Sequence, residues 1–253
     1  MRAAWLAQAQ AHPNTTLGLA GATLAILWLL VTSGYNALHA DGEAYLRYGM
    51  LGGMAGFAAT ALGALSGIGL RNLSTRAEDS MLGFAAGMML AASSFSLILP
   101  GVEAAKGMTG SGPLAALTVV AGLALGVALM LGLDQFTPHE HEHLGPCGPG
   151  RERIGRVWLF VLAITLHNLP EGMAIGVSFS KGDLGVGLPL TTAIAIQDIP
   201  EGLAVAMALR TAGLAPLRAA LVAAASGLME PIGALLGIGI SSGFAIAYPV
   251  GLG

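Results

Sequence analysis

The chain has 253 residues, 55% hydrophobic and 10% charged, against roughly 45–50% and 25% for soluble domains. That balance argues against a soluble enzyme and for a membrane protein, and the 38 glycines agree, because membrane helices use small residues to approach one another closely. The net charge of −3 says little, since the position of each Lys and Arg matters more than their sum, and the lone Cys147 allows no internal disulfide.

A polar, alanine-rich lead, Met1 to Thr16, precedes the first apolar run, Leu17 to Leu38. That run is too long for a signal peptide and no clear cleavage site follows it, so it reads as a retained span. A short acidic loop, His39 to Leu46, leads into span two, Tyr48 to Leu70, dense in Gly and Ala. Arg71 to Ser80 is a polar connector. Span three, Met81 to Pro100, carries Met88-Met89 and Ser93-Ser94, and span four runs from Pro113 to Leu133. The one sizeable hydrophilic stretch, Asp134 to Arg156, contains His139-Glu140-His141-Glu142-His143. Spans five and six follow, Val157 to Ser180 and Gly185 to Leu209, then span seven, Leu217 to Ile240, with Glu230-Pro231 inside it. The apolar run that begins near Gly243 is too short to cross, so the last spans read as incomplete. Each full run approaches or exceeds the roughly 20 helical residues that cross a bilayer. The expected fold is all-α, a polytopic transmembrane helix bundle forming one domain over residues 1–253, with the His-rich 134–156 loop within it.

Counting positive charges by side orients the bundle. With the His-rich loop in the cytoplasm, that side also holds Arg2, Arg71, Arg76, Arg151, Arg153, Arg156, Arg210 and Arg218, and the other holds Arg47, Lys106 and Lys181. Eight against three satisfies the positive-inside rule and places the amino terminus in the cytoplasm.

Spans five and six share a repeated motif, His167-Asn168-Leu169-Pro170-Glu171-Gly172 and Gln197-Asp198-Ile199-Pro200-Glu201-Gly202. In each copy the first residue and the Glu are four apart, on one helical face. The proline has no N–H, so the carbonyls of Leu166 and Ile196 lose their helical partners. Freed carbonyls are tolerated at membrane depth where they face protein or line a cavity. Intramembrane charges cost roughly 2.5–3.5 kcal/mol each on insertion scales and mark function. Folding the pair back at Gly182 sets His167 roughly level with Asp198, with Glu171 and Glu201 one to two turns away on either side. The proline kinks and helix crossing can draw the two glutamates together. A histidine nitrogen with several carboxylates suits a borderline divalent ion such as zinc. Glu230 is the one buried carboxylate outside the repeat, and it needs a cation or a proton there. Blander readings stand beside these. Asn168 and Asp198 face about 100° from their neighbours and could join helices by hydrogen bonds, Met89 could be core packing, and a flexible loop rich in His and Glu captures metal without transporting it.

Two other classes were weighed. An intramembrane metalloprotease would carry His-Glu-x-x-His on one helix, and no span here contains it. A cation-coupled transporter of organic solutes would fit kinked helices and buried carboxylates, but the spans lack the buried Arg or Lys that an acidic substrate needs.

The two motifs, their spacing and the preceding His-rich loop resemble the ZIP (Zrt/Irt-like) family of divalent-metal transporters, bacterial type, from about Met50 onward. The resemblance implies an eight-helix core, here with an extra amino-terminal span, and no enzymatic activity. It implies transport of zinc, or of cadmium, iron or manganese, into the cytoplasm through a two-metal site. His167, Glu171 and Glu201 would bind the central ion with Met89 beside it, and Asn168, Asp198 and Glu230 the neighbouring ion, with Glu171, Gln197 and Glu201 near enough to bridge. Glu103 and Asp183 would draw ions to the outer entrance, and His139, His141 and His143 would bind metal on the loop. The expected setting is the bacterial inner membrane. The expected partners are divalent ions, the lipid bilayer and a second copy in a homodimer, with no nucleic acid.

Overall fold

The computed structural model describes residues 44–70, 74–136, 139–141, 145–147, 156–243 and 246–253, with isolated helical positions between Pro13 and Tyr35. The first expected span falls for the most part outside the described residues. The remainder is a polytopic helical bundle. In chain order it comprises α1 (Ala44–Gly69), α2 (Thr75–Ala91), a π-helical segment (Ala92–Ile98), α3 (Leu99–Thr109), α4 (Gly112–Phe136), α5 (Arg156–Phe179), α6 (Leu184–Thr211), α7 (Pro216–Ser226), α8 (Met229–Gly243) and α9 (Ala247–Leu252). Between α4 and α5 the His-rich stretch forms a small antiparallel ribbon that pairs His139 with Cys147 and His141 with Gly145. Among the described residues five stretches are long and apolar enough to cross a membrane: Ala44–Gly69, Asp79–Thr109, Val157–Phe179, Leu184–Thr211 and Pro216–Ser241.

Proline shapes the spans in three ways. Helices α5 and α6 run unbroken through Pro170, Pro189 and Pro200. Helices α2 and α3 join through the wider turn at Ala92–Ile98, where the Leu99 N–H bonds back to Ser94 and Pro100, which cannot donate, follows at once. Span seven departs from the continuous helix expected over Leu217–Ile240. It breaks at Gly227-Leu228 into α7 and α8. Pro231 offers no N–H to the Gly227 carbonyl, which instead accepts from Glu230 N at 3.1 Å. The break puts Glu230 in the first turn of α8.

Glycine decides how the helices meet. Gly172 and Gly176 of α5, four apart, lie against α8, while Gly233 and Gly237 of α8 lie against α5. A Cβ on Gly176 would stand 2.8 Å from the carbonyl carbon of Ala234, and one on Gly237 would stand 2.9 Å from that of Met173. The two small-xxx-small motifs thus interlock backbone to backbone, as membrane helices do when dispersion and close packing must hold them. The same device joins α1 to α6. A Cβ on Gly63 would stand 2.8 Å from the Ile199 carbonyl carbon, and one on Gly202 would stand 2.9 Å from that of Thr60.

Larger side chains fill the ends of the bundle. Ile175, Phe179, Leu190, Ile194 and Ala92 form one buried cluster, and Val177 packs with Tyr248 and Leu252 of α9 in another. At the far end the Arg210 guanidinium donates to the carbonyls of Gly67 and Leu70, tying the end of α6 to that of α1. Asp183 caps α6, accepting from Gly185 N at 2.8 Å, after a turn in which Gly182 takes φ 72°.

This packing yields a test. Gly176→Ala should lower the melting temperature of the detergent-solubilised protein, because overpacking against backbone costs about 1–3 kcal/mol. Gly126→Ala serves as control, since a Cβ there meets nothing within 4 Å. Equal melting temperatures for the two variants would contradict the close α5–α8 crossing.

Candidate metal centre

The α5–α8 and α1–α6 contacts bring four carboxylates together. Glu171, Asp198 and Glu201 each present an oxygen within 4.8 Å of the others'. Glu230 joins them, since a Cβ on Gly56 would overlap Glu230 Oε2 and stand 3.3 Å from Asp198 Oδ2. Glu171, Asp198 and Glu230 are buried, with Glu230 0% and Asp198 2% exposed, and Glu201 is half-buried. Gln197 donates through Nε2 to Glu171 Oε1. His167 Nε2 lies 3.7 Å from the same oxygen, and its side chain is 38% exposed. The histidine therefore sits at the accessible edge of the cluster, while Glu230 sits at its floor.

The side chains of the two motif copies meet across the α5–α6 pair: Gln197 reaches Glu171, and the Glu171, Asp198 and Glu201 carboxylates converge. Glu171 and Glu201, placed one to two turns away on either side by folding at Gly182, belong to one group. Helix α5 is seated by its glycines on α8, and α6 by Gly202 on α1.

The cluster is conspicuously short of partners. Asn168 Oδ1 and Nδ2, Glu171 Oε2, Gln197 Oε1, Asp198 Oδ2, Glu201 Oε1 and Glu230 Oε2 are all buried without a hydrogen bond. Among the described residues one other buried side-chain atom, Thr191 Oγ1, shares that condition. Buried polar groups are ordinarily satisfied. Among the described residues no lysine or arginine is paired with these carboxylates, and His167 is the one basic group within ion-pair reach. Oxygens in such number, with one imidazole, suit divalent cations that accept mixed N and O ligands.

Other residues singled out in the sequence lie elsewhere or face other partners. Met89 is half-buried on α2, and Glu103 is exposed on α3. Asp183 is exposed and already serves as the cap of α6. His139 and His141 lie in the ribbon, with side chains outside the described set, and His143 lies outside the described residues altogether.

Two residues escaped the sequence reading. Thr60 of α1, 1% exposed, donates from Oγ1 to Glu230 Oε1 at 2.8 Å. Gly56, one turn earlier on the same face, leaves the space that Glu230 Oε2 occupies. A signal for Thr60 existed, since it is the one hydroxyl between Tyr48 and Ser66. Its partner, 170 positions away, was not visible.

Comparison with known proteins agrees with this architecture. The family described as ZIP Zinc transporter matches residues 136–250, the stretch that holds both motif helices and Glu230. The chain is 66% identical over 253 residues to the Zinc transporter ZIPB of Bordetella bronchiseptica, covering 100% of this chain and 82% of that protein. It is 41% identical over 204 residues to the Zinc transporter GufA of Myxococcus xanthus, covering 81% and 80%. Over 278 aligned residues it is 29% identical to the Zinc transporter ZIP11 of Homo sapiens, covering 78% and 81%. With most of each protein aligned and the paired motifs at the centre of the bundle, the chain belongs to the ZIP zinc transporter family.

Proposed function

We propose that the protein carries zinc across the membrane into the cytoplasm through the buried carboxylate cluster, holding two ions there at once. The observation that carries this reading is the set of four carboxylates with unpartnered oxygens. Fully ionised they bear four negative charges, which two divalent cations balance. A single zinc would leave two charges to be neutralised by protons, since each uncompensated charge in an apolar bundle costs roughly 2.5–3.5 kcal/mol. Family membership makes the chain a transporter and not an enzyme, and the relatives named above are zinc transporters by description.

In this reading His167, Glu171 and Glu201 hold the central ion, nearest the accessible edge, with Met89 beside it. Asn168, Asp198 and Glu230 hold the second. Glu171, Glu201 and Gln197 lie between and bridge, and bridged ions stand roughly 3.5–4 Å apart. The ion exchanges its waters stepwise for these ligands, entering past Glu103 and Asp183 on the outer side. The charge count across the loops supports a cytoplasmic amino terminus in an inner membrane. The loop histidines His139, His141 and His143 receive ions on the cytoplasmic side.

Three outcomes test the assignment. His167→Ala or Glu171→Ala should abolish most zinc uptake into proteoliposomes while the protein remains folded in the membrane; full uptake at limiting zinc would sink the ligand set. Glu230→Gln should lower bound zinc from two ions per chain to one, counted by elemental analysis of purified protein. An unchanged count, or loss of both ions, would show that Glu230 is misplaced in this scheme. Replacing His139, His141 and His143 together by Ser should preserve substantial uptake, and complete loss in folded protein would put the loop in the permeation path.

A further inference from the structure

Helix α1 contributes no carboxylate to the site, yet its Gly56–Thr60 face touches Glu230 twice. Thr60 Oγ1 donates to Glu230 Oε1 at 2.8 Å. Gly56, four residues earlier and so on the same face, makes room for Glu230 Oε2, which is left without a protein partner. The two oxygens of one carboxylate are thus treated differently, one engaged and one free. Thr60 is itself fixed from three sides. A Cβ on Gly202 would stand 2.9 Å from the Thr60 carbonyl carbon, and one on Gly227, at the break between α7 and α8, would stand 2.9 Å from Thr60 Cβ. Glu230, the third contact, begins the half-helix that follows.

We infer that Thr60 is a specificity-determining residue: by occupying Glu230 Oε1 it confines Glu230 to one-oxygen coordination of the second ion. The consequence follows from ligand chemistry. Zinc is content with four ligands in a tetrahedron, each carboxylate giving one oxygen. Manganese prefers six oxygen ligands in an octahedron, and a carboxylate offering both oxygens supplies one more donor without a further side chain. A Glu230 held to one oxygen therefore favours the ion of lower coordination number. Gly56 completes the device, because any side chain there would displace Oε2 from the site. This inference rests on the two-ion reading above, and Thr60 acts through Glu230 without contacting the ion.

The test compares wild type with Thr60→Val, Thr60→Ala and Thr60→Ser in purified full-length protein. Val keeps the shape, Ala removes the donor without bulk should Val disturb folding, and Ser keeps the donor. Zinc and manganese compete at equilibrium, with bound metal counted, and infrared difference spectra on zinc binding report carboxylate coordination. Thr60→Val and Thr60→Ala should lower the zinc-over-manganese preference about tenfold, the worth of one hydrogen bond of about 1–1.5 kcal/mol. Ser should behave as wild type. The infrared splitting between the symmetric and antisymmetric carboxylate stretches should narrow in Val and Ala, as it does when a carboxylate turns from one-oxygen to two-oxygen binding. A merely structural Thr60 would lower stability and leave the splitting alone. Unchanged preference and splitting in folded Val and Ala variants would overturn the inference, while the two-ion reading would stand. Wild-type protein that binds fewer than two zinc ions would instead remove the reading on which it rests.

Discussion

Everything in this bundle answers to one constraint: four carboxylates lie together inside an apolar protein without a lysine or arginine paired to them among the described residues. At roughly 2.5–3.5 kcal/mol each, four uncompensated charges would cost on the order of 10 kcal/mol. That is comparable with the whole stability of a typical domain, about 5–15 kcal/mol. The site must therefore be filled by cations or by protons at all times.

The four carboxylates come from three helices, α5, α6 and α8, and glycines bring these and α1 to close range. Gly172 and Gly176 against Gly233 and Gly237 remove a layer of side chains between α5 and α8, and Gly63 and Gly202 do the same between α1 and α6. Neither seam is held by apolar burial alone, since lipid tails are as apolar as the protein. Close backbone contact supplies dispersion that lipid cannot match. The break at Gly227-Leu228 adds a second element typical of transporters, a discontinuous helix at the binding site. It turns Glu230 to the floor of the cluster, where Thr60 holds it.

The helices, their membrane character and the central role of the repeated motif were legible in the sequence because each rests on local patterning. Long apolar runs give spans, and a polar residue within such a run has few reasons to be there. What was not legible depends on contacts between distant segments. Which helices α5 and α6 pack against was one such contact: their glycines face α8 and α1. The break in span seven needed the combination of Gly227 packed on Thr60 and Pro231 unable to donate, whereas Pro170 and Pro200 leave their helices whole. In the sequence Thr60 looks no different from a hydroxyl that bonds its own backbone, as Thr165 and Thr192 do here. Met89, Glu103 and Asp183 came from resemblance or charge alone, and of these Asp183 has a structural duty as a cap.

The central claim is that the carboxylate cluster is the zinc site and holds two ions together. Anomalous diffraction from zinc-soaked crystals, collected on both sides of the zinc absorption edge, tests it most directly. Two peaks should appear about 3.5–4 Å apart, one among His167, Glu171 and Glu201 and the other beside Asp198 and Glu230. Zinc confined to the His139–His143 stretch, with no peak among the four carboxylates, would contradict it.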